Sequence, residues 1–198
     1  MSERRIVILG ASGYGGGELL RLLASHPSRP QLRGVSRHNA GKPFWSVHPN
    51  LRGILNGSFD GAVDWEWLSQ SAMPVLFSAM PHGELAKQYS QLMRDAGAAL
   101  AESLVVIDLS ADFRIQDVAL SGKYYKGEHP SPAELPSFVY GLPEWQRETL
   151  KSAKRIANPG CFATGLQLAL LPLAGLDLKH IAIAGVTGSS GSGMAASE

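Results

Sequence analysis

The sequence predicts an α/β protein built on a doubly wound parallel sheet. Short apolar runs alternate with amphipathic segments at the spacing of βαβ units. A glycine-rich turn joins the first apolar run to the first amphipathic segment. The composition is that of a globular chain, with 44% hydrophobic and 18% charged residues among 198. Right-handed crossovers between such units wind the sheet outward in both directions from its centre.

Each element has a local reason. Arg5-Ile6-Val7-Ile8-Leu9 is a continuous apolar run, the pattern of a buried strand. Gly10 to Gly17 reads as a glycine loop, and Glu18 to Ala24 as a helix whose apolar face is Leu19, Leu20, Leu22 and Leu23. His26-Pro27 stops it. Leu32 to Val35 is a second strand, and residues 37–62 read as irregular. A third strand is expected at Pro74 to Ala79, a helix at Gly83 to Asp95 and a fourth strand at Leu104 to Leu109. The proline-rich stretch 112–150 breaks the rhythm and ends in a short helix near Glu144 to Ser152. A strand at Arg155 to Ala157, a helix at Phe162 to Leu171 and a strand at His180 to Val186 follow. The expected division is a dinucleotide-binding domain over 1–157 and the start of a second, α+β catalytic domain over 158–198.

Charge and cysteine usage exclude several function classes. Formal net charge is +1, so nothing draws the chain toward nucleic acid or a membrane surface. The apolar run near the N-terminus is too short for a signal peptide, and no apolar stretch reaches membrane-spanning length. A single cysteine rules out an intrachain disulfide or a cysteine-built metal site and fits a reducing cytosol, so a cytoplasmic protein without metal is expected.

Gly10-Ala11-Ser12-Gly13-Tyr14-Gly15-Gly16 fits the spacing G-x-x-G-x-x-G between a strand and a helix. In a Rossmann-type βαβ unit the first glycine permits a tight turn, the second lets backbone approach a pyrophosphate, and the third packs helix on strand. Gly10, Ser12, Gly13, Tyr14, Gly15 and Gly16 are therefore candidate cofactor-binding residues. NAD enzymes carry an acidic residue about 20 residues beyond this loop, on the ribose 2′-hydroxyl. Here that place is Ser36-Arg37, and no acidic residue occurs between Glu18 and Asp60. Serine beside arginine suits a 2′-phosphate, so NADP(H) is the expected cofactor, held by Ser36 and Arg37.

The lone cysteine lies in Asn158-Pro159-Gly160-Cys161-Phe162, where a strand turns into a helix. A thiol at a helix start sits at the positive end of the peptide dipole, a setting in which thiols act as nucleophiles. The alternative is an inert core cysteine. A nucleophilic thiol beside a reduced nicotinamide points to one reaction type: acyl transfer to sulfur, then reduction of the thioester to an aldehyde. The Tyr-x-x-x-Lys pair of short-chain ketone reductases is absent.

Together, the glycine loop, Ser36-Arg37, Ala40-Gly41-Lys42-Pro43, His48-Pro49-Asn50-Leu51-Arg52-Gly53, Pro81-His82-Gly83, Asp108-Leu109-Ser110-Ala111-Asp112-Phe113-Arg114, Tyr140-Gly141-Leu142-Pro143-Glu144 and Asn158-Pro159-Gly160-Cys161 resemble the N-acetyl-gamma-glutamyl-phosphate reductase family. That family is similar to aspartate-semialdehyde dehydrogenase. The resemblance runs along the whole chain. It implies NADPH-dependent reduction of N-acetyl-gamma-glutamyl phosphate in arginine biosynthesis, with Cys161 as nucleophile. The related reductase of carrier-linked aminoadipyl phosphate, in lysine biosynthesis, shares most of these segments. The resemblance also implies a small-molecule acyl phosphate substrate and a homo-oligomer in the full-length form. Arg114 is a candidate for an anionic substrate group, or else holds the turn through an aspartate. His82 is a candidate base, or a turn or cofactor contact. The second glycine run, with Ser189 and Gly191, is a candidate phosphate wrap or a linker, and lacks the basic residue usual after it. The family's acid/base histidine lies beyond that run, so the sequence reads as the N-terminal part of a longer enzyme, inactive alone in the alternative reading.

Overall fold

The computed structural model describes residues 4–125 and 127–192. Six strands form one sheet in the order β2-β1-β3-β4-β6-β5, with every pairing parallel. They are β1 (Arg5–Leu9), β2 (Gln31–Val35), β3 (Val75–Ser78), β4 (Val105–Asp108), β5 (Val139–Tyr140) and β6 (Arg155–Ala157). The helices are α1 (Tyr14–Ala24), α2 (Phe44–Val47), α3 (Trp65–Ser69), α4 (Glu84–Ala96), α5 (Ala98–Ser103), α6 (Val118–Tyr125), α7 (Pro143–Leu150) and α8 (Cys161–Leu170).

Strand alternation feeds two cores. Val7 and Leu9 of β1 join Leu76, Val106, Leu68 of α3 and Leu85, Tyr89 and Leu92 of α4 on one face. Ile6 and Ile8 join Leu20 of α1, Phe44, Leu51 and Phe59 on the other. Burial on both faces explains why β1 reads as an unbroken apolar run. Phe113 and Phe138 stack at 4.0 Å between ring centroids, and Tyr89 packs its edge on Phe138.

The register aligns the carboxyl ends of the strands. Leu9 lies opposite Val35 and Ser78, Ser78 opposite Asp108, and Asp108 opposite Ala157. The loops that begin at Gly10, Ser36, Ala79, Leu109 and Asn158 therefore emerge along one edge. Strand order reverses between β1 and β3, which opens a crevice there, the place where doubly wound sheets bind ligands.

Three expectations are corrected. Helix α1 begins at Tyr14, not Glu18, so Gly15, Gly16 and Gly17 form its first turn. Gly16 and Gly17 are needed for close packing: a β-carbon on Gly16 would lie 2.5 Å from Ala11 Cα, and one on Gly17 would lie 2.6 Å from the His48 ring. Stretch 112–150 is not wholly irregular, since it holds α6 and the two-residue β5, which exists because β6 offers it ladder partners. Residues 180–186 form no strand. A strand needs a neighbouring edge for its hydrogen bonds, and among the described residues nothing pairs with this run, leaving Ile181, Ile183 and Val186 exposed. Helix α8 likewise buries none of its residues. Among the described residues no helix is long and apolar enough to cross a membrane.

Candidate active site

Gly10 turns the chain out of β1 at φ 68°, where a β-carbon would lie 2.6 Å from the Ala79 carbonyl oxygen. Only glycine takes this conformation without strain, and only glycine lets the loops after β1 and β3 approach so closely. The Gly13 N–H closes the turn onto the Gly10 carbonyl at 3.0 Å. Gly13 caps α1 without a side-chain bond, and no acidic residue occupies the first turn. The first intrahelical bond is Gly17 N–H to Gly13 O, so the N–H groups of Tyr14, Gly15 and Gly16 have no intrahelical acceptor. Free N–H groups at a helix start are a setting suited to an anion. Behind the loop, His48 Nε2 donates to the Ala11 carbonyl at 2.9 Å and its buried ring lies against Gly17. Sequence reasoning placed the His48 motif in the resemblance without giving the side chain this bracing role.

The helix beside it, α4, is closed to anions. Asp112 accepts from Gly83 N–H at 2.6 Å and from Ala86 N–H at 2.9 Å, filling that N-terminus with its own carboxylate. Of the two helices that start at the crevice, α4 is capped by a carboxylate and α1 is not.

At the end of β2, Ser36 is buried and its hydroxyl pairs with Ser12 Oγ at 2.9 Å. Arg37 is exposed. Three other arginines of the acid-free stretch are engaged elsewhere: Arg21 with Glu18, Arg33 with Asp64 at 2.9 Å, and Arg52 over the Trp45 ring. Arg37 has no ion pair among the described residues. Lys42 Nζ donates to Asn39 Oδ1 at 3.1 Å, and Asn39 Nδ2 donates to Ser36 Oγ at 3.4 Å. Asp60 bonds its main chain to Ser36 N–H, but its carboxyl lies 3.9 Å from Arg33 and is pushed up by burial, against the pull of Arg33.

The loop after β4 ties the crevice to the cysteine turn. Buried Asp108 accepts from Ser110 Oγ at 2.6 Å, and burial pushes its carboxyl above the ordinary range, with the Ser110 bonds opposing. The Ala111 N–H donates to His82 Nδ1 at 2.8 Å, so in the neutral ring Nε2 carries the proton. A cavity of about 230 Å³ opens beside His82, lined also by Gly83, Asp112, Glu128 and His129. Arg114 forms no aspartate pair: Nε donates to the Asn158 carbonyl and Nη2 to the Leu109 carbonyl, each at 2.8 Å.

Cys161 is the first residue of α8 and is exposed. Gly160 caps the helix without a side-chain bond, and no acidic residue follows in the first turn. The second glycine run passes nearby, since a β-carbon on Gly185 would lie 2.8 Å from the Phe162 ring. Ser189 and Gly191 lie in a 3-10 turn over Ser189–Ser192. The residues after Ser192 lie outside the described residues. Among the described residues no group of three or more His, Cys, Asp or Glu could hold a metal.

Comparison with known proteins agrees with this geometry. Residues 5–153 match the family described as semialdehyde dehydrogenase, NAD binding domain. The chain is 40% identical over 199 residues to the [LysW]-L-2-aminoadipate 6-phosphate reductase of Deinococcus radiodurans, covering 99% of the chain and 54% of the relative. It is 38% identical over 201 residues to the N-acetyl-gamma-glutamyl-phosphate reductase of Akkermansia muciniphila, covering 100% and 56%. With that of Aromatoleum aromaticum it shares 42% over 196 residues, covering 96% and 53%. The chain thus spans about half the length of the curated relatives it matches. Its fold is like that of aspartate semialdehyde dehydrogenase II from Vibrio cholerae, with a TM-score of 0.54 at 19% identity, covering 89% of this chain and 44% of that one. The Candida albicans enzyme solved with NADP gives 0.50 at 17%, covering 87% and 47%. A switch-point crevice with an open α1 terminus, and a family match across three quarters of the chain, lead to one assignment: the chain belongs to the semialdehyde dehydrogenase family and carries its NAD-binding domain.

Proposed function

We propose that the chain is the cofactor-binding and nucleophile-bearing part of an NADPH-dependent acyl-phosphate reductase acting on N-acetyl-gamma-glutamyl phosphate, the reaction of arginine biosynthesis. The observation that carries this reading is the common sheet edge. It delivers an uncapped dinucleotide cradle at α1 and an exposed thiol at the uncapped start of α8. Residues 1–157 serve the cofactor and residues 158–198 open the catalytic part. The small-molecule phosphate substrate, a homo-oligomeric state and a cytoplasmic setting belong to the same reading.

Gly10, Gly13 and the N–H groups of Tyr14, Gly15 and Gly16 would hold the pyrophosphate. Ser12 and Ser36 line the ribose side, and Arg37 binds the 2′-phosphate. Cys161 Sγ attacks the acyl carbon, the bond to phosphate oxygen breaks, and phosphate leaves with that electron pair, giving a thioester on the chain. When bound, NADPH supplies the hydride that takes the thioester to the aldehyde level. The carbon–sulfur bond then breaks, sulfur recovers its electron pair, and N-acetylglutamate semialdehyde departs.

The test uses the chain as it stands. Incubation with N-acetyl-gamma-glutamyl phosphate without cofactor is expected to release phosphate and add one acyl mass at Cys161. NADPH binding with neither adduct nor phosphate release would overturn the catalytic reading and leave a dinucleotide-binding module. The relatives divide between two substrates at similar identity, so carrier-linked aminoadipyl phosphate is the second reading. Preferential acylation by the carrier-linked compound would favour it.

Arg37→Ala is expected to weaken NADPH binding by roughly ten- to a hundredfold, the worth of one or two charge-assisted bonds, while NADH affinity stays nearly constant. Fluorescence titration with both nucleotides measures the ratio. Equal loss for both would remove the 2′-phosphate assignment.

A further inference from the structure

We infer that Arg114 is a positioning residue for the nucleophile: its guanidinium fork holds the Asn158-Pro159-Gly160 turn so that Cys161 starts α8 at the sheet edge. The inference rests on the reading of Cys161 as nucleophile. Arg114 is half-buried, and its reach is long: Nε donates to Asn158 O, 44 residues away, and Nη2 to Leu109 O on its own loop. These two bonds span the gap between the loop after β4 and the loop after β6. Nη1 lies 3.0 Å from where a Gly160 β-carbon would stand, so the residue before Cys161 lies against that end of the guanidinium. The bare position at 160 and the arginine at 114 are thus a matched pair.

The remainder of the loop anchors the fork. Asp108 O accepts from Asn158 N–H at 2.7 Å, holding the cysteine turn to β4 from its other side. Asp112 and the Ala111 N–H tie the loop to α4 and His82, and Phe113 packs in the aromatic core. A planar fork that donates in two directions does this, and a lysine ammonium does not reproduce it. The side chain that sequence reasoning offered to a substrate anion donates to one main-chain carbonyl on the cysteine turn and one on its own loop.

Cys161 is the sole cysteine, so alkylation by iodoacetamide reports on it alone. Arg114→Gln is expected to change the alkylation rate by about tenfold and to displace its pH profile, with NADPH affinity preserved. Arg114→Lys is expected to behave like the glutamine variant. Gly160→Ala presses on the guanidinium without removing it and is expected to disturb the profile in the same direction. It carries the test if Arg114→Gln does not fold. Profiles like that of the parent chain in Arg114→Gln and Gly160→Ala would overturn the inference. So would full restoration by lysine, which would assign the effect to charge alone. Alkylation needs no acyl phosphate, so failure of phosphate release would remove the proposed reaction and leave this result standing.

Discussion

Cys161→Ser is expected to reduce acyl transfer and phosphate release to background, a loss on the order of 10⁴-fold or more, while NADPH affinity stays within about twofold. The reason is spatial as well as chemical. The hydroxyl that replaces the thiol is a far weaker nucleophile near neutral pH. The cofactor cradle is built on β1, β2 and α1, whereas Cys161 heads α8 and is exposed, so serine disturbs no buried packing. The checks are a single-turnover phosphate assay, intact-protein mass for the acyl adduct, and nucleotide fluorescence for binding. Phosphate release retained by the serine variant would remove Cys161 from the reaction. Loss of NADPH binding together with acylation would show that the thiol turn supports the fold instead.

Gly10→Ala is expected to destabilise the fold by about 3 kcal/mol or more, lowering the thermal midpoint by roughly 10 °C, and to abolish nucleotide binding. Alanine at φ 68° is strained by itself, at about 1–2 kcal/mol. Its methyl would also meet the Ala79 carbonyl oxygen at 2.6 Å and carbon at 2.8 Å, main-chain atoms that follow a central strand and cannot swing aside. Gly13→Ala is the contrast. Its φ of −78° suits any residue, and the nearest atom to its β-carbon, Gly10 O, is at an ordinary 3.5 Å. That variant should fold normally and lose affinity only through crowding of the pyrophosphate. Calorimetry and NADPH titration on both variants separate a glycine required by the backbone from one required by the ligand. Equal melting temperatures for the two would refute the distinction.

Gly10 and Cys161 lie next to strand ends with strong local signals: a continuous apolar run before the first, a strand-to-helix turn around the second. Ser36-Arg37 stood out because charge is so one-sided over Glu18 to Asp60. Arg155–Ala157 was legible to the residue. Helix α3 was passed over although Asp64 caps it through Trp67 N–H at 2.9 Å, a signal present in the sequence. The ties that loop 109–114 makes to Gly83, Ala86, His82 and Asn158 were not legible, because each partner lies 26 to 44 residues away in the chain.

His180 to Val186 marks the limit most clearly. Its apolar alternation is that of a strand, yet strand formation depends on a partner edge, and local pattern does not contain the partner. The sequence alone determined the alternating elements, the glycine turn after β1, the basic end of β2 and the place of the lone cysteine between a strand and a helix. Each of these follows from residues adjacent in the chain. Tertiary structure decided that Gly15 to Gly17 are helical, that Asp112 closes α4, that His48 braces the glycine loop and that Arg114 grips the cysteine turn. These contacts join segments tens of residues apart. They are set by the parallel register that brings the strand ends to one edge, which no local periodicity specifies.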